Sequence, residues 1–145
     1  MSPGPASGSR LLEGRVVLVT GGASGLGLGM ATAMAAHGAA VVLACRRPEI
    51  GEPAAAVLRE AGHDVRCVRS DGTPADDIGA SVDASETGKG RLDCMVNNAI
   101  APTGGPTRIQ DVSQDHWDAM VATTIRATFD GARAAHPHLR DSGAR

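Results

Sequence analysis

The sequence predicts an α/β fold in which helices flank a parallel sheet of strand order 3-2-1-4. Two observations lead to this prediction. Strand-like and helix-like segments alternate along the 145 residues, which is typical of parallel sheets with right-handed crossovers. The apolar run Val16 to Thr20 also leads through a glycine-rich stretch into a helix-like segment, as in a phosphate-binding turn.

The first predicted strand, Val16 to Thr20, is a continuous apolar run, as expected of a parallel strand that is buried on both faces. The predicted strands are Val16 to Thr20, Ala40 to Cys45, Val65 to Arg69 and Leu92 to Val96. The predicted helices alternate with them and are Gly25 to His37, Glu52 to Ala61, Ala75 to Glu86 and Asp115 to Ala135. This order is typical of the first half of a Rossmann-like dinucleotide-binding fold.

Helix ends are predicted from glycine, proline and capping residues. Gly38 and Gly62 end the first two helices, Ser113 precedes the last, and Pro137 ends it. The segment His136 to His138 is therefore expected to be irregular. The spacing places Leu26, Met30, Ala33, Met34 and His37 on one side of the first helix.

Composition narrows the possible functions. A net charge of −2 with 21% charged residues does not indicate a nucleic-acid-binding protein. The single Trp, the single Phe and the lack of Tyr predict an aliphatic core. No apolar stretch is long enough to span a bilayer, and residues 1–10 are expected to be a disordered lead-in to a domain over residues 11–145. A cytoplasmic location is expected.

The cysteines and histidines are not expected to hold a metal. Cys45, Cys67 and Cys94 are spaced too widely for a metal knuckle. We expect them to be buried thiols in a reducing compartment. The pair His136 and His138 has no cluster of carboxylates with it, so no metal site is predicted.

Four motifs in order resemble those of the short-chain dehydrogenase/reductase family. The first is Thr20-Gly21-x-x-x-Gly25-x-Gly27, and the second is Asp71 after the third strand. The third is the segment Gly90 to Ala99, which is similar to the family's fourth strand and its Asn-Asn-Ala-Gly end. The fourth is Trp117 with the long helix after it. The resemblance covers about residues 12 to 142.

The resemblance implies a nicotinamide dinucleotide as cofactor and assigns residues to it. The glycine loop would hold the pyrophosphate, Asp71 would accept a hydrogen bond from the adenine amino group, and Asn98 with Ala99 would border a ribose. Asp71 could also be an ordinary acidic turn residue. The predicted cofactor-binding residues are Gly21, Ser24, Gly25, Leu26, Gly27, Arg46, Arg47, Asp71, Asn98 and Ala99.

The end of the second strand determines the choice of cofactor. About 20 residues past the glycines, an acid would bind the ribose 2′-hydroxyl of NAD, but here the position falls on Cys45. Arg46 and Arg47 follow, and guanidinium groups suit a 2′-phosphate. We therefore predict NADP(H) over NAD(H), although Ser24 stands where many NADP-preferring relatives have a base. Alternatively, both arginines are solvated loop charges.

The family's Ser, Tyr and Lys have no counterparts here. The chain has no Tyr, and its single lysine, Lys89, precedes the fourth strand. The asparagine of the long helix is replaced by Thr124, and the glycine of Asn-Asn-Ala-Gly by Ile100. No catalytic residue is therefore predicted, and the chain is expected to be truncated before the catalytic segment.

Three hypotheses follow from this departure. The chain is a cofactor-binding half that transfers no hydride by itself, a non-catalytic nucleotide-binding or interaction module, or one part of a protein whose remainder is a separate chain. The resemblance also implies a homodimer through the long C-terminal helix. Aggregation through an exposed fourth strand is the alternative.

Overall fold

The computed structural model describes residues 10–71, 75–87, 90–100 and 108–143. The predicted lead-in, apart from residue 10, and Lys89 lie outside these residues. A four-stranded sheet of order β3-β2-β1-β4 confirms the predicted topology. All neighbouring strands are parallel, and Leu18 pairs with Val42 on one side and with Met95 on the other. The strands are β1 Val16–Thr20, β2 Ala40–Cys45, β3 Val65–Arg69 and β4 Cys94–Val96.

Five α-helices accompany the sheet within the described residues, with a short 3-10 helix, Ile109–Asp111, before the fourth. They are α1 Gly25–Ala36, α2 Pro48–Glu60, α3 Ala75–Thr87, α4 Gln114–Met120 and α5 Ala127–Asp141, with a π-helical segment Val121–Arg126 joining the last two. Helix α2 begins four residues before the predicted start at Glu52. Pro48 explains the early start, because proline is favoured at the first position of a helix, where a backbone N–H would have no partner within the helix.

The buried residues of α1 are small. Leu26 is 82% exposed, and the buried residues of this helix are Gly27, Ala31 and Ala35. They recur every four residues, so they form one stripe along the helix. Small residues in this stripe let the backbone of α1 lie close to the sheet, and the partly buried Leu28 and Met34 pack against the same core.

The predicted end of the long helix at Pro137 is wrong, because α5 continues to Asp141. The segment from His136 to His138 is therefore helical. Ala135 is fully buried in the core and Leu139 packs against the same core, one on each side of the proline. This burial offsets the backbone hydrogen bond that proline cannot make.

The core is aliphatic, as predicted, and lies on both faces of the sheet. Alternate strand residues point to opposite faces, so each face has its own cluster. The face covered by α1 and α2 includes Val17, Val19, Val41, Leu43, Ala55 and Leu58. The face covered by α3 and α5 includes Val16, Leu18, Val42, Val82, Leu92 and Ala135.

Asp93 ties β4 to β1 at the end of the sheet opposite the glycine loop. Its side chain is 3% exposed and accepts hydrogen bonds from Arg15 Nη1 at 2.9 Å, Arg91 Nε at 2.8 Å and Val16 N at 2.9 Å. Burial acts to raise the pKa of this carboxyl, but the bonds from Arg91, Val16 and Arg15 outweigh it and lower the pKa.

The cysteines differ in exposure, contrary to the expectation that all are buried. Cys45 is buried and Cys67 half-buried, whereas Cys94 is exposed. Cys94 lies on β4, which pairs with β1 alone at one end of the sheet formed by the described residues. None of the described helices is long and apolar enough to cross a membrane.

Candidate functional site

A cavity of about 390 Å³ opens at the carboxyl ends of the strands. Ligands of open α/β sheets bind at this edge, and the volume lies within the usual range for ligand pockets. All ten predicted cofactor-binding residues line the cavity. The complete lining is Thr20, Gly21, Ala23, Ser24, Gly25, Leu26, Gly27, Ala44, Cys45, Arg46, Arg47, Ile50, Ser70, Asp71, Asn98, Ala99, Ile100 and Thr123.

The loop between β1 and α1 forms one wall of the cavity. Gly21 and Gly25 have φ angles of +64° and +53°, a region that side chains other than glycine rarely adopt. Ser24 precedes the helix in an extended conformation, and its hydroxyl makes no capping hydrogen bond. The N-terminal N–H groups of α1 are thus available to an anion in the cavity.

Gly27 lets the helix and the end of β4 approach each other closely. A Cβ atom on residue 27 would overlap the carbonyl oxygen of Gly21 and lie 2.6 Å from Asn98 Nδ2. Any larger residue would therefore displace the glycine loop or the Asn98 amide. Residue 27, the third glycine of the motif, must be glycine because there is no room for a Cβ atom, and not because of an unusual backbone angle.

Thr20 joins the ends of β1 and β4 beneath the loop. Its hydroxyl donates to the Val96 carbonyl at 3.2 Å and accepts from the backbone N–H groups of Asn98 at 3.0 Å and Ala99 at 3.1 Å. The Asn98 amide donates in return to the carbonyl oxygens of Thr20 at 3.0 Å and Gly21 at 3.3 Å. Sequence reasoning missed this role, although a threonine that ends a buried strand was its visible signal.

Positive charge borders the cavity at the end of β2. Arg46 and Arg47 are both exposed and line it directly. Cys45 precedes them, so no acid stands at this position. Exposed guanidinium groups that extend into a cavity suit a phosphate-bearing ligand.

Asp71 lines the cavity beyond the end of β3. Its backbone N–H donates to the Asp77 carboxylate, which ties the residue to the first turns of α3. Asp71 is exposed at this wall of the cavity, and carboxylate oxygens can accept hydrogen bonds. Ser70, which is 6% exposed, lies beside it on the cavity wall.

The long helix reaches the cavity through Thr123. Thr124, which replaces the asparagine of the family pattern, is exposed. Thr123 lies within the π-helical segment Val121–Arg126, where each turn holds more residues than in an α-helix and side-chain directions shift. At the cavity mouth, Ile100 is 67% exposed.

The arrangement suits an elongated ligand with several phosphate groups. The uncapped end of α1 and the glycine loop can hold a pyrophosphate, the arginines a further phosphate, and the Asp71 carboxylate a donor group. Among the described residues, no group of at least three His, Cys, Asp or Glu side chains could hold a metal ion.

Comparison with known proteins places this geometry among dehydrogenases. Residues 15–145 match the family model described as short chain dehydrogenase. Cyclopentanol dehydrogenase of Comamonas sp. (strain NCIMB 9872) is 37% identical over 126 residues, covering 87% of this chain and 50% of the relative. 2,5-Dichloro-2,5-cyclohexadiene-1,4-diol dehydrogenase LinX of Sphingobium indicum is 38% identical over 133 residues, covering 91% of this chain and 52% of the relative.

Solved structures agree with these relatives. A short-chain dehydrogenase from Burkholderia cenocepacia J2315, crystallised in complex with NADP, superposes with a TM-score of 0.80 at 30% identity and covers 88% of this chain. The match covers 52% of that structure. The chain thus spans about half the length of the curated relatives that it matches.

Proposed function

The chain belongs to the short-chain dehydrogenase family, and from this premise we propose that its cavity binds NADP(H). The carrying observation is that the glycine loop, the uncapped end of α1, Arg46 and Asp71 line one cavity. This set supplies groups that suit the pyrophosphate, the 2′-phosphate and the adenine amino group of the dinucleotide. The proposal takes residues 11–145 as the dinucleotide-binding part of the family domain.

The preference for NADP(H) over NAD(H) rests on charge at the end of β2. Arg46 and Arg47 can pair with a 2′-phosphate, and Cys45 offers no carboxylate to a 2′-hydroxyl. Both arginines are exposed, so solvent screening limits each contact to about 1 kcal/mol, which is roughly a fivefold change in affinity. The NADP complex of the Burkholderia cenocepacia relative supports this choice.

We propose that the chain by itself binds cofactor without transferring hydride. Bound NADP(H) would supply the hydride, while the residues of this chain hold the pyrophosphate, the adenosine end and the ribose. The sequence contains no tyrosine that could move the substrate proton. In the whole protein, the proposed reaction is hydride transfer between NADP(H) and an alcohol or carbonyl compound.

A non-catalytic nucleotide-binding or interaction module is the second candidate. The observations that favour it are Ile100 and Thr124, which replace a glycine and an asparagine of the family pattern.

Purified chain incubated with NADPH and a panel of ketones and aldehydes should show no loss of nicotinamide absorbance above background. Turnover that persists through repurification would contradict the proposed inactivity.

Equilibrium titration of NADP+ and NAD+ into the chain tests the proposed cofactor choice. NADP+ should bind about fivefold more tightly, and Arg46→Ala should reduce this preference. Arg10→Ala is a matched control, because Arg10 is exposed and pairs with Glu13 before β1, away from the cavity. Equal affinities of the parent chain for both cofactors would contradict the assignment.

We also propose that two copies of the chain associate through the long helix. Trp117, Ile125 and Phe129 are 53%, 64% and 56% exposed on it. Large apolar side chains give the largest gain in free energy when a partner removes them from water. The open edge of β4 is the alternative contact, because an unpaired strand edge can pair with another chain.

A further inference from the structure

Cys45 and Cys67 bring their sulfur atoms together beneath the arginine end of the cavity. Their Sγ atoms are 3.3 Å apart. The cysteines lie on neighbouring parallel strands, where Leu43 pairs with Cys67 and Cys45 pairs with Arg69. An offset of two residues keeps both side chains on the same face of the sheet. The contact therefore follows from strand register and not from loop position.

Helix α2 presses directly on this pair at Gly51. A Cβ atom on residue 51 would overlap both sulfur atoms, and the Ala23 Cβ lies 3.7 Å from the same point. The packing leaves no space on that side for a bound ion or an added group. A bond between the two sulfurs is the modification that needs no additional atoms.

The two sulfurs differ in their access to solvent. Cys45 is 7% exposed and lines the cavity, whereas Cys67 is half-buried on β3, the strand at one end of the sheet. Cys45 thus borders the cavity and Cys67 lies on an edge strand, and neither residue is fully exposed.

We propose that Cys45 and Cys67 form a redox pair that hydrogen peroxide converts into an intramolecular disulfide at the floor of the cavity. One sulfur attacks the peroxide, the O–O bond breaks, and a sulfenic acid and water form. The second sulfur then displaces the sulfenic oxygen, which leaves as a second water with the remaining thiol proton. Two thiols lose two electrons in total, and one peroxide accepts them.

Formation of the bond requires β2 and β3 to move as well as the two side chains, because residues offset by two positions on neighbouring strands have Cα atoms about 7–8 Å apart, above the usual disulfide range of about 4.4–6.8 Å. The sulfurs must approach from 3.3 Å to about 2.05 Å, and the bond from the Cys45 thiol to the Arg47 carbonyl, now 3.5 Å, is lost. Burial and the contact with Cys45 raise the pKa of the Cys67 thiol to about 12. Because the thiolate is the reactive form, the reaction at neutral pH is slow.

Peptide mapping after peroxide treatment tests the proposal. The folded chain should yield one cross-linked peptide that joins Cys45 to Cys67, with a mass loss of two hydrogens, while Cys94 stays outside that link. The same chain oxidised in guanidinium should give a mixture of all three pairings, because the strand register is then lost. A mixture in the folded chain, or conversion of Cys45 to sulfinic acid without the cross-link, would overturn the proposal.

Two variants test whether packing brings the sulfurs together. Gly51→Ala should lose the cross-link because its Cβ displaces the sulfurs, whereas Gly79→Ala, whose Cβ meets nothing within 4 Å, should retain it. A folded Gly51→Ala chain that cross-links at the parent rate would contradict the argument. If Gly51→Ala does not fold, Cys67→Ser provides the test. It should leave Cys45 without an intramolecular partner, and a Cys45–Cys94 link in the folded variant would overturn the proposal.

Discussion

Gly27→Ala is expected to destabilise the chain, although alanine is the better helix former. Its Cβ would overlap the Gly21 carbonyl and lie 2.6 Å from Asn98 Nδ2. Overpacking of this kind costs ~1–3 kcal/mol, and disturbing the Asn98 amide bonds adds ~1 kcal/mol. Higher helix propensity recovers ~1 kcal/mol. The expected net loss is about 2 kcal/mol, which lowers Tm by roughly 4–8 °C.

Gly29→Ala is the matched control for this variant. Gly29 lies on the exposed side of the same helix, and a Cβ there meets nothing within 4 Å. The substitution should therefore stabilise the chain by up to ~1 kcal/mol. Urea unfolding followed by circular dichroism measures both variants under identical conditions.

The opposite signs of the two effects make the comparison decisive. Gly27→Ala should also weaken NADP(H) binding, because the displaced Gly21 carbonyl belongs to the loop that is proposed to hold the pyrophosphate. If Gly27→Ala raised stability as much as Gly29→Ala, the close approach of α1 to the end of β4 would be refuted.

Two further predictions concern the rest of the molecule. Asp93→Asn should lower the free energy of unfolding by about 2 kcal/mol at neutral pH. The folded-state pKa of Asp93 is lowered, so its charge stabilises the chain above pH ~4 and loses this effect as the pH falls further. The free energies of unfolding of parent and variant, measured against pH, should therefore converge in acid. Ile125→Glu should shift the chain from dimer to monomer in light scattering with little change in Tm, and Thr32→Glu on α1 should not. Larger assemblies that persist in Ile125→Glu and disappear in Cys94→Lys would instead identify the edge of β4 as the contact.

Much of the fold could be predicted because its signals are local. Strands β1 and β2 are nearly continuous apolar runs, and β1, β2 and β3 were all predicted to the residue, although β3 includes Arg66 and Arg69. Strand β4 was predicted two residues too long. Asp93 precedes the paired segment, and its side chain accepts a hydrogen bond from the Val16 N–H. The apolar content of the segment alone does not reveal such a contact.

The helices were less predictable where packing overrides local preference. The spacing of apolar residues placed Leu26 and Met30 on one side of the first helix, whereas the residues that α1 buries are the small Gly27, Ala31 and Ala35. Pro137 is a local helix breaker, yet the burial of residues on both sides of it maintains the helix. These outcomes depend on the distance between helix and sheet, which cannot be read from a short segment of the sequence.

The cavity was predicted better than the helices, because its residues follow directly after strands whose ends share one edge of the sheet. Their role in binding remains a prediction. The contacts that were missed are long-range in sequence: Thr20 with Asn98, and Cys45 with Cys67. Both depend on strand register, which becomes visible only in the folded chain.

The most direct test of the central claim is a titration of NADPH into the parent chain and two tryptophan variants. Ser24→Trp should block the cavity without backbone strain, because Ser24 is exposed and has φ −158° and ψ 169°. Thr32→Trp adds the same side chain to the exposed face of α1, away from the cavity. The account predicts saturable binding to the parent and to Thr32→Trp, and none to folded Ser24→Trp. Unchanged binding to folded Ser24→Trp, or no binding to the parent chain, would contradict it.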